Sequence, residues 1–118
     1  MRPTPALPIV LLALAALAAC SSDDPAPTQP TAPQTATVEA SATANVFSPS
    51  TQRVARGGTV TWAFSTRPHN VTFATTAGVP ANVPTSTNAQ VARQFNTSGT
   101  FPYECTVHPG MAGTIVVQ

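Results

Sequence analysis

Apolar side chains recur at every second position along most of the C-terminal two thirds of the chain. Val60, Trp62 and Phe64 share one parity, with Thr59, Thr61 and Ala63 on the other. Val38, Ala40 and Ala42 alternate with Thr37, Glu39 and Ser41; Val71 and Phe73 with Asn70 and Thr72; Phe101, Tyr103 and Cys105 with Pro102, Glu104 and Thr106. Because a strand turns successive side chains to opposite faces, this period of two specifies half-buried strands and excludes an amphipathic helix. Turn signals punctuate the runs at Ser48-Pro49-Ser50, Gly57-Gly58, Arg67-Pro68, Ala77-Gly78, Val83-Pro84 and Ser98-Gly99. Many short strands with frequent turns predict an all-β fold, an antiparallel sandwich or barrel. Ala89 to Phe95 fits less well, since Arg93 shares the parity of Val91 and Phe95; an edge strand or a bulge is expected there.

The N-terminal third reads differently. Arg2 is followed by the apolar run Ile9 to Ala19 and then Cys20. That run is too short to span a bilayer and suits the apolar core of an export signal. Leu17-Ala18-Ala19-Cys20 resembles the bacterial lipoprotein signal, which implies cleavage after residue 19 and acylation of Cys20. Residues 1–19 are therefore expected to be a signal peptide. An ordinary export signal whose cysteine later pairs with Cys105 is the other reading, but Cys20 adjoins a tether, not a packable strand. Residues 20–35 are rich in Pro, Thr and Ala, with Pro25, Pro27, Pro30 and Pro33, and read as a semi-rigid linker. The folded domain is then 36–118, small enough that a bound metal would help to stabilise it.

Charge narrows the possible partners. Charged residues make up 8% of the 118, lysine is absent and the formal net charge is +1. Nucleic-acid binding needs a basic stripe and is excluded on that ground; attachment to anionic lipid by charge needs a polybasic cluster, which is also missing.

The chemistry concentrates in one short loop. Apart from Met1 and Cys20, the chain holds one Cys, one Met and two His: Cys105, Met111, His69 and His108. Three of them lie within Cys105-Thr106-Val107-His108-Pro109-Gly110-Met111. A thiolate, two imidazoles and a thioether make the blue-copper donor set. Cys105 shares the inward parity of Phe101 and Tyr103, and His69 that of Val71 and Phe73, so both are expected at strand ends on one pole. Taken singly, each residue would be ordinary core or a satisfied polar group; their grouping at this spacing is what points to a metal.

The segment Tyr103 to Val117 resembles the ligand loop of the cupredoxins, the type 1 copper proteins. The Cys-x2-His-x2-Met spacing is similar to that of the amicyanins, and Pro68-His69-Asn70-Val71 resembles the first-ligand segment of the plastocyanin and amicyanin families. The resemblance implies a Greek-key two-sheet β-sandwich of about seven or eight strands. It also implies one type 1 copper ion, with His69, Cys105 and His108 in a plane and Met111 as a weak axial donor. The Pro68 carbonyl would lie near the metal. Asn70 would brace the two loops, its backbone N–H toward the Cys105 sulfur and its side chain toward Thr106.

These expectations add up to a monomeric one-electron carrier in the cell envelope or periplasm, held at the membrane by lipid on Cys20. It would meet redox partners through an apolar patch around His108. Catalysis is not expected, because Glu104, the nearest acid, has outward parity. The same donors would also suit copper storage, delivery or sensing.

Overall fold

The computed structural model describes residues 30–118; Cys20, the segment 1–19 and the linker as far as residue 29 lie outside the described residues. In chain order the strands are β1 (Thr35–Ala40), β2 (Phe47–Ser48), β3 (Thr51–Val54), β4 (Gly58–Phe64), β5 (His69–Phe73), β6 (Val83–Ser86), β7 (Ala89–Phe95), β8 (Gly99–Glu104) and β9 (Ala112–Val117). No helix occurs among the described residues. β4 shows why the period matters: buried and half-buried residues alternate without a break from Gly58 to Phe64. Gly57 opens that strand with φ at 82°, a left-handed turn conformation that glycine adopts without steric cost.

Two sheets form, in the orders β2-β1-β4-β7 and β3-β9-β8-β5-β6. The chain changes sheet between β2 and β3, again on entering β4 and β5, and twice more around β7. The expected two-sheet sandwich is therefore present, with differences in its wiring. Nine strands form among the described residues, instead of seven or eight. Two pairs are parallel, β1 with β4 (Val38 opposite Trp62) and β3 with β9 (Val54 opposite Val117), so the sheets are mixed, not purely antiparallel. Alternation dictates which face a residue takes and leaves its neighbouring strand open.

Two local expectations also change. Val83-Pro84 is not a turn; it begins β6, the edge strand of the second sheet, where a proline without an N–H is tolerated. Ala89 to Phe95 is indeed an edge strand, but it carries no bulge: β7 runs in unbroken register against β4, from Phe64 opposite Ala89 to Gly58 opposite Phe95. Arg93 reaches across to donate to the carbonyls of Ala81 and Asn82, at 2.8 and 2.7 Å. The irregularity falls instead between His69 and Val71, where β5 meets β6.

The core lies between the sheets and is centred on Trp62, which is fully buried. Its indole meets Tyr103 edge-on with centroids 5.5 Å apart and Phe73 at 5.8 Å, while Phe95 lies tilted at 6.4 Å. Such edge-to-face contacts add to the burial gain because positive ring edges meet negative faces. Tyr103 lies over its cross-strand partner Gly113, where a Cβ would collide with the phenol. This aromatic body is the floor on which the chemistry at one pole rests.

Candidate metal centre

β5 and β8 deliver the first two donors. They pair antiparallel, with Thr72 opposite Glu104 and Phe73 opposite Tyr103. Continuing that register brings Cys105 level with Val71, two residues from His69. All three side chains take the inward face, and His69, Val71 and Cys105 are each 2% exposed or less. Glu104 takes the opposite face and is exposed.

The third donor comes from the loop beyond β8. Met111 N–H donates to the His108 carbonyl at 3.2 Å, and Gly110 between them has φ at 84°. Pro109 and Gly110 thus occupy the central positions of a type II turn, which needs a fixed φ first and a positive φ second. The Cys105 N–H donates to the Met111 carbonyl at 2.8 Å and closes the loop. This closure folds His108 back over Cys105 and leaves Met111 buried. His108 stays half-buried, ringed by exposed Thr106, Val107, Pro109 and Gly110.

Three donor atoms converge. Cys105 Sγ lies 3.9 Å from His69 Nδ1 and 3.7 Å from His108 Nδ1, and the two nitrogens are 3.1 Å apart. The point equidistant from the three atoms is about 2.1 Å from each, against typical metal–nitrogen and metal–sulfur bonds of about 2.0 and 2.3 Å. The triangle fits one first-row metal ion. Its soft sulfur and two imidazoles, with the Met111 thioether on the same loop, suit copper.

Neighbouring groups aim these donors. The His69 Nε2–H donates to the Ser41 carbonyl at 2.9 Å, so its Nδ1 is bare and faces Cys105. Asn70 joins the two ligand segments: its Nδ2 donates to Thr106 Oγ1 at 2.7 Å, and its Oδ1 accepts from the Thr106 N–H at 2.8 Å. Bonds of this kind fix ligand orientation. Pro68 is exposed immediately before His69. Arg67 Nε donates to His108 Nε2 at 3.1 Å. The His108 imidazole is held below its ordinary histidine value, first by loss of solvation and then by repulsion from the Arg67 guanidinium and the neighbouring His69 ring.

His69, Cys105 and His108 are thus brought together, Met111 is buried on the same loop as two of them, and Asn70 and Thr106 are bonded to each other. Cys20 lies outside the described residues. One contributor and one contact escaped the sequence reading. Ser41 acts through a backbone carbonyl, which any residue type supplies. Arg67 was visible beside Pro68-His69, but only the folded chain shows that it reaches His108.

Residues 34–118 match the family described as copper binding proteins, plastocyanin/azurin family. Amicyanin-alpha of Methylorubrum extorquens is 39% identical over 70 residues, which cover 56% of this chain and 59% of that protein, so the chain spans less than two thirds of this relative. Plastocyanin of Scenedesmus fuscus is 34% identical over 90 residues, covering 62% of this chain and 87% of that protein. Among solved structures, a purple cupredoxin from Nitrosopumilus maritimus superposes with a TM-score of 0.60 at 26% identity, over 70% of this chain and 99% of that one.

Proposed function

The chain belongs to the plastocyanin/azurin family of copper-binding proteins, with one type 1 copper ion as its cofactor, and we propose that it carries single electrons between redox partners in the cell envelope. His69, Cys105 and His108 hold the ion, and Met111 is the weak fourth donor. Copper supplies a one-electron couple. The observation that carries this reading is the donor triangle itself: three side-chain atoms already spaced for one ion, His69 at the start of β5 and the other two on a loop locked by the bonds of Met111 and the brace of Asn70. A donor set that needs no rearrangement suits electron transfer, where movement of ligands would slow each step.

The residues favour a carrier over an enzyme. A hydrolytic site needs a general base within reach of the reacting atoms, and Glu104 faces away from the triangle. His108, the donor nearest the surface, is the proposed edge for electron entry and exit. Pro68, Pro109, Gly110 and Ala112 are exposed around it and form a small apolar patch, of the scale that brief redox encounters use. The proposed carrier is a monomer, exported to the envelope or periplasm and anchored by lipid on Cys20. Leu17-Ala18-Ala19-Cys20 and the proline-rich stretch after it support that placement.

Voltammetry of the copper-loaded protein, with electron exchange against a soluble cytochrome, tests the carrier role. A fast reversible couple is expected; a slow, irreversible response with ready loss of copper to a chelator would point to metal delivery instead. Membrane fractionation tests the anchor. The parent chain should sediment with membranes and Cys20→Ala should not, whereas recovery of both in the soluble fraction removes the anchor.

A further inference from the structure

The segment that leads into β1 joins the sandwich at the pole opposite the donor triangle. There the turn at residues 55–58, between β3 and β4, gathers several strand ends. The Ala55 N–H donates to the Pro33 carbonyl at 2.8 Å, and Thr59, just beyond the turn, donates to the Gln34 carbonyl at 2.9 Å. The Arg56 and Gly57 N–H groups donate to the carbonyls of Gln118 and Phe95, at 2.8 and 2.6 Å. Gly58 leaves room for the incoming backbone, since a Cβ there would stand 2.7 Å from the Gln34 carbonyl oxygen. Upstream, Pro30, Thr31 and Ala32 bound a shallow hollow with Ala55 and Gln118, so the chain is already at this pole where the described residues begin.

β1 measures the distance from this pole to the triangle. It starts at Thr35, opposite Thr59, and ends at Ala40, opposite Phe64. The next residue is Ser41, whose carbonyl accepts from His69. Six residue steps at about 3.3 Å each set the two poles about 20 Å apart. From Cys20 to Pro30 the chain covers at most about 35 Å, even fully extended. Turning the triangle to a lipid surface would lift the opposite pole off it by the length of the domain. The tether would then have to run back over that length, using more than half of its reach and losing conformational freedom. Resting on the reading of Cys20 as the lipidated residue, we propose that the anchored protein is held by the pole opposite its metal centre and turns the His108 loop to the aqueous side. The partner this fits is a water-soluble redox protein, not a quinol dissolved in the bilayer.

The test uses the full lipidated chain in phosphatidylcholine nanodiscs that carry a gadolinium-chelating lipid, with the copper reduced so that the lipid supplies the only paramagnet. Amide signals of Ala55, Gly57 and Gln118 should be lost in 15N–1H spectra, and those of Val107 and Gly110 retained. Deleting residues 21–29 sets Pro30 beside Cys20, and the contrast should sharpen because no chain remains to double back. Loss at Val107 and Gly110 equal to or greater than at the other pole, in either protein, overturns the orientation; so does retention of all these signals in the deletion variant. A soluble cytochrome should exchange electrons with the anchored protein as fast as with Cys20→Ala, while ubiquinol dissolved in the same bilayer should not reduce it. Fast reduction by the quinol, or a cytochrome rate that recovers only in Cys20→Ala, overturns the partner class. The two levels separate by association: a parent chain that stays free of the nanodiscs removes the anchor and the proposal with it, whereas a bound parent with the opposite pattern defeats the orientation and leaves the anchor standing.

Discussion

Replacing Asn70 by alanine should loosen the metal pole by an amount that the geometry sets. The side chain makes two bonds to one residue of the ligand loop, Nδ2 to Thr106 Oγ1 at 2.7 Å and Oδ1 from the Thr106 N–H at 2.8 Å. A neutral hydrogen bond contributes about 1 kcal/mol net. Thr106 is exposed, so water can replace its lost partner and no penalty for a buried orphan is added. The expected cost is about 1.5–2 kcal/mol, or a fall in melting temperature of about 10 °C for a domain of this size. Asn70→Asp keeps the acceptor for the Thr106 N–H, and the Thr106 hydroxyl can turn to donate to the carboxylate, so it should recover at least half of the loss. Thermal melts of the metal-free proteins, followed by circular dichroism, supply the comparison. If Asn70→Ala melts within about 2 °C of the parent, the brace contributes nothing and the loop is held by its own turn.

Two further outcomes follow from single positions. Gly110 has φ at 84° and open space where a Cβ would stand, so Gly110→Ala should lose about 1–2 kcal/mol from backbone strain alone, seen as a lower melting temperature and weaker copper binding; an unchanged protein would mean that the turn can relax. Burial pushes the Tyr103 hydroxyl up to about 12, and the neighbouring Trp62 indole, which makes no hydrogen bond to it, opposes that rise by a smaller amount. Since this value lies above the unfolded one of about 10, the contribution to stability is complete below pH 10 and is lost as pH rises from there through about 12. Tyr103→Phe should flatten that alkaline limb in denaturant titrations, and a limb that persists would assign the loss to another group.

How far the sequence reaches depends on the kind of information each feature needs. The faces of β4, β5 and β8 are legible because alternation is local: Trp62, Val71 and Tyr103 are buried as their parity requires. Pairing is not local, which is why the parallel neighbours β1–β4 and β3–β9 emerge only in three dimensions. β3 and β6 escape because they are edge strands of four residues with one buried residue each, giving little alternation to read. The donor set was legible because Cys, His and Met are scarce in this chain and three of them share one loop. Its supports were legible only in part. Asn70 adjoins a ligand, whereas Ser41 acts on His69 from 28 residues away and Arg67 on His108 from 41.

The most direct test of the metal centre is the visible absorption spectrum of the protein after addition of one equivalent of Cu(II), taken beside that of Cys105→Ser. An intense band from thiolate-to-copper charge transfer is expected in the parent and its loss in the variant. A parent that stays colourless, or a band that survives in Cys105→Ser, would contradict a site in which Cys105 and the two histidines hold one copper ion.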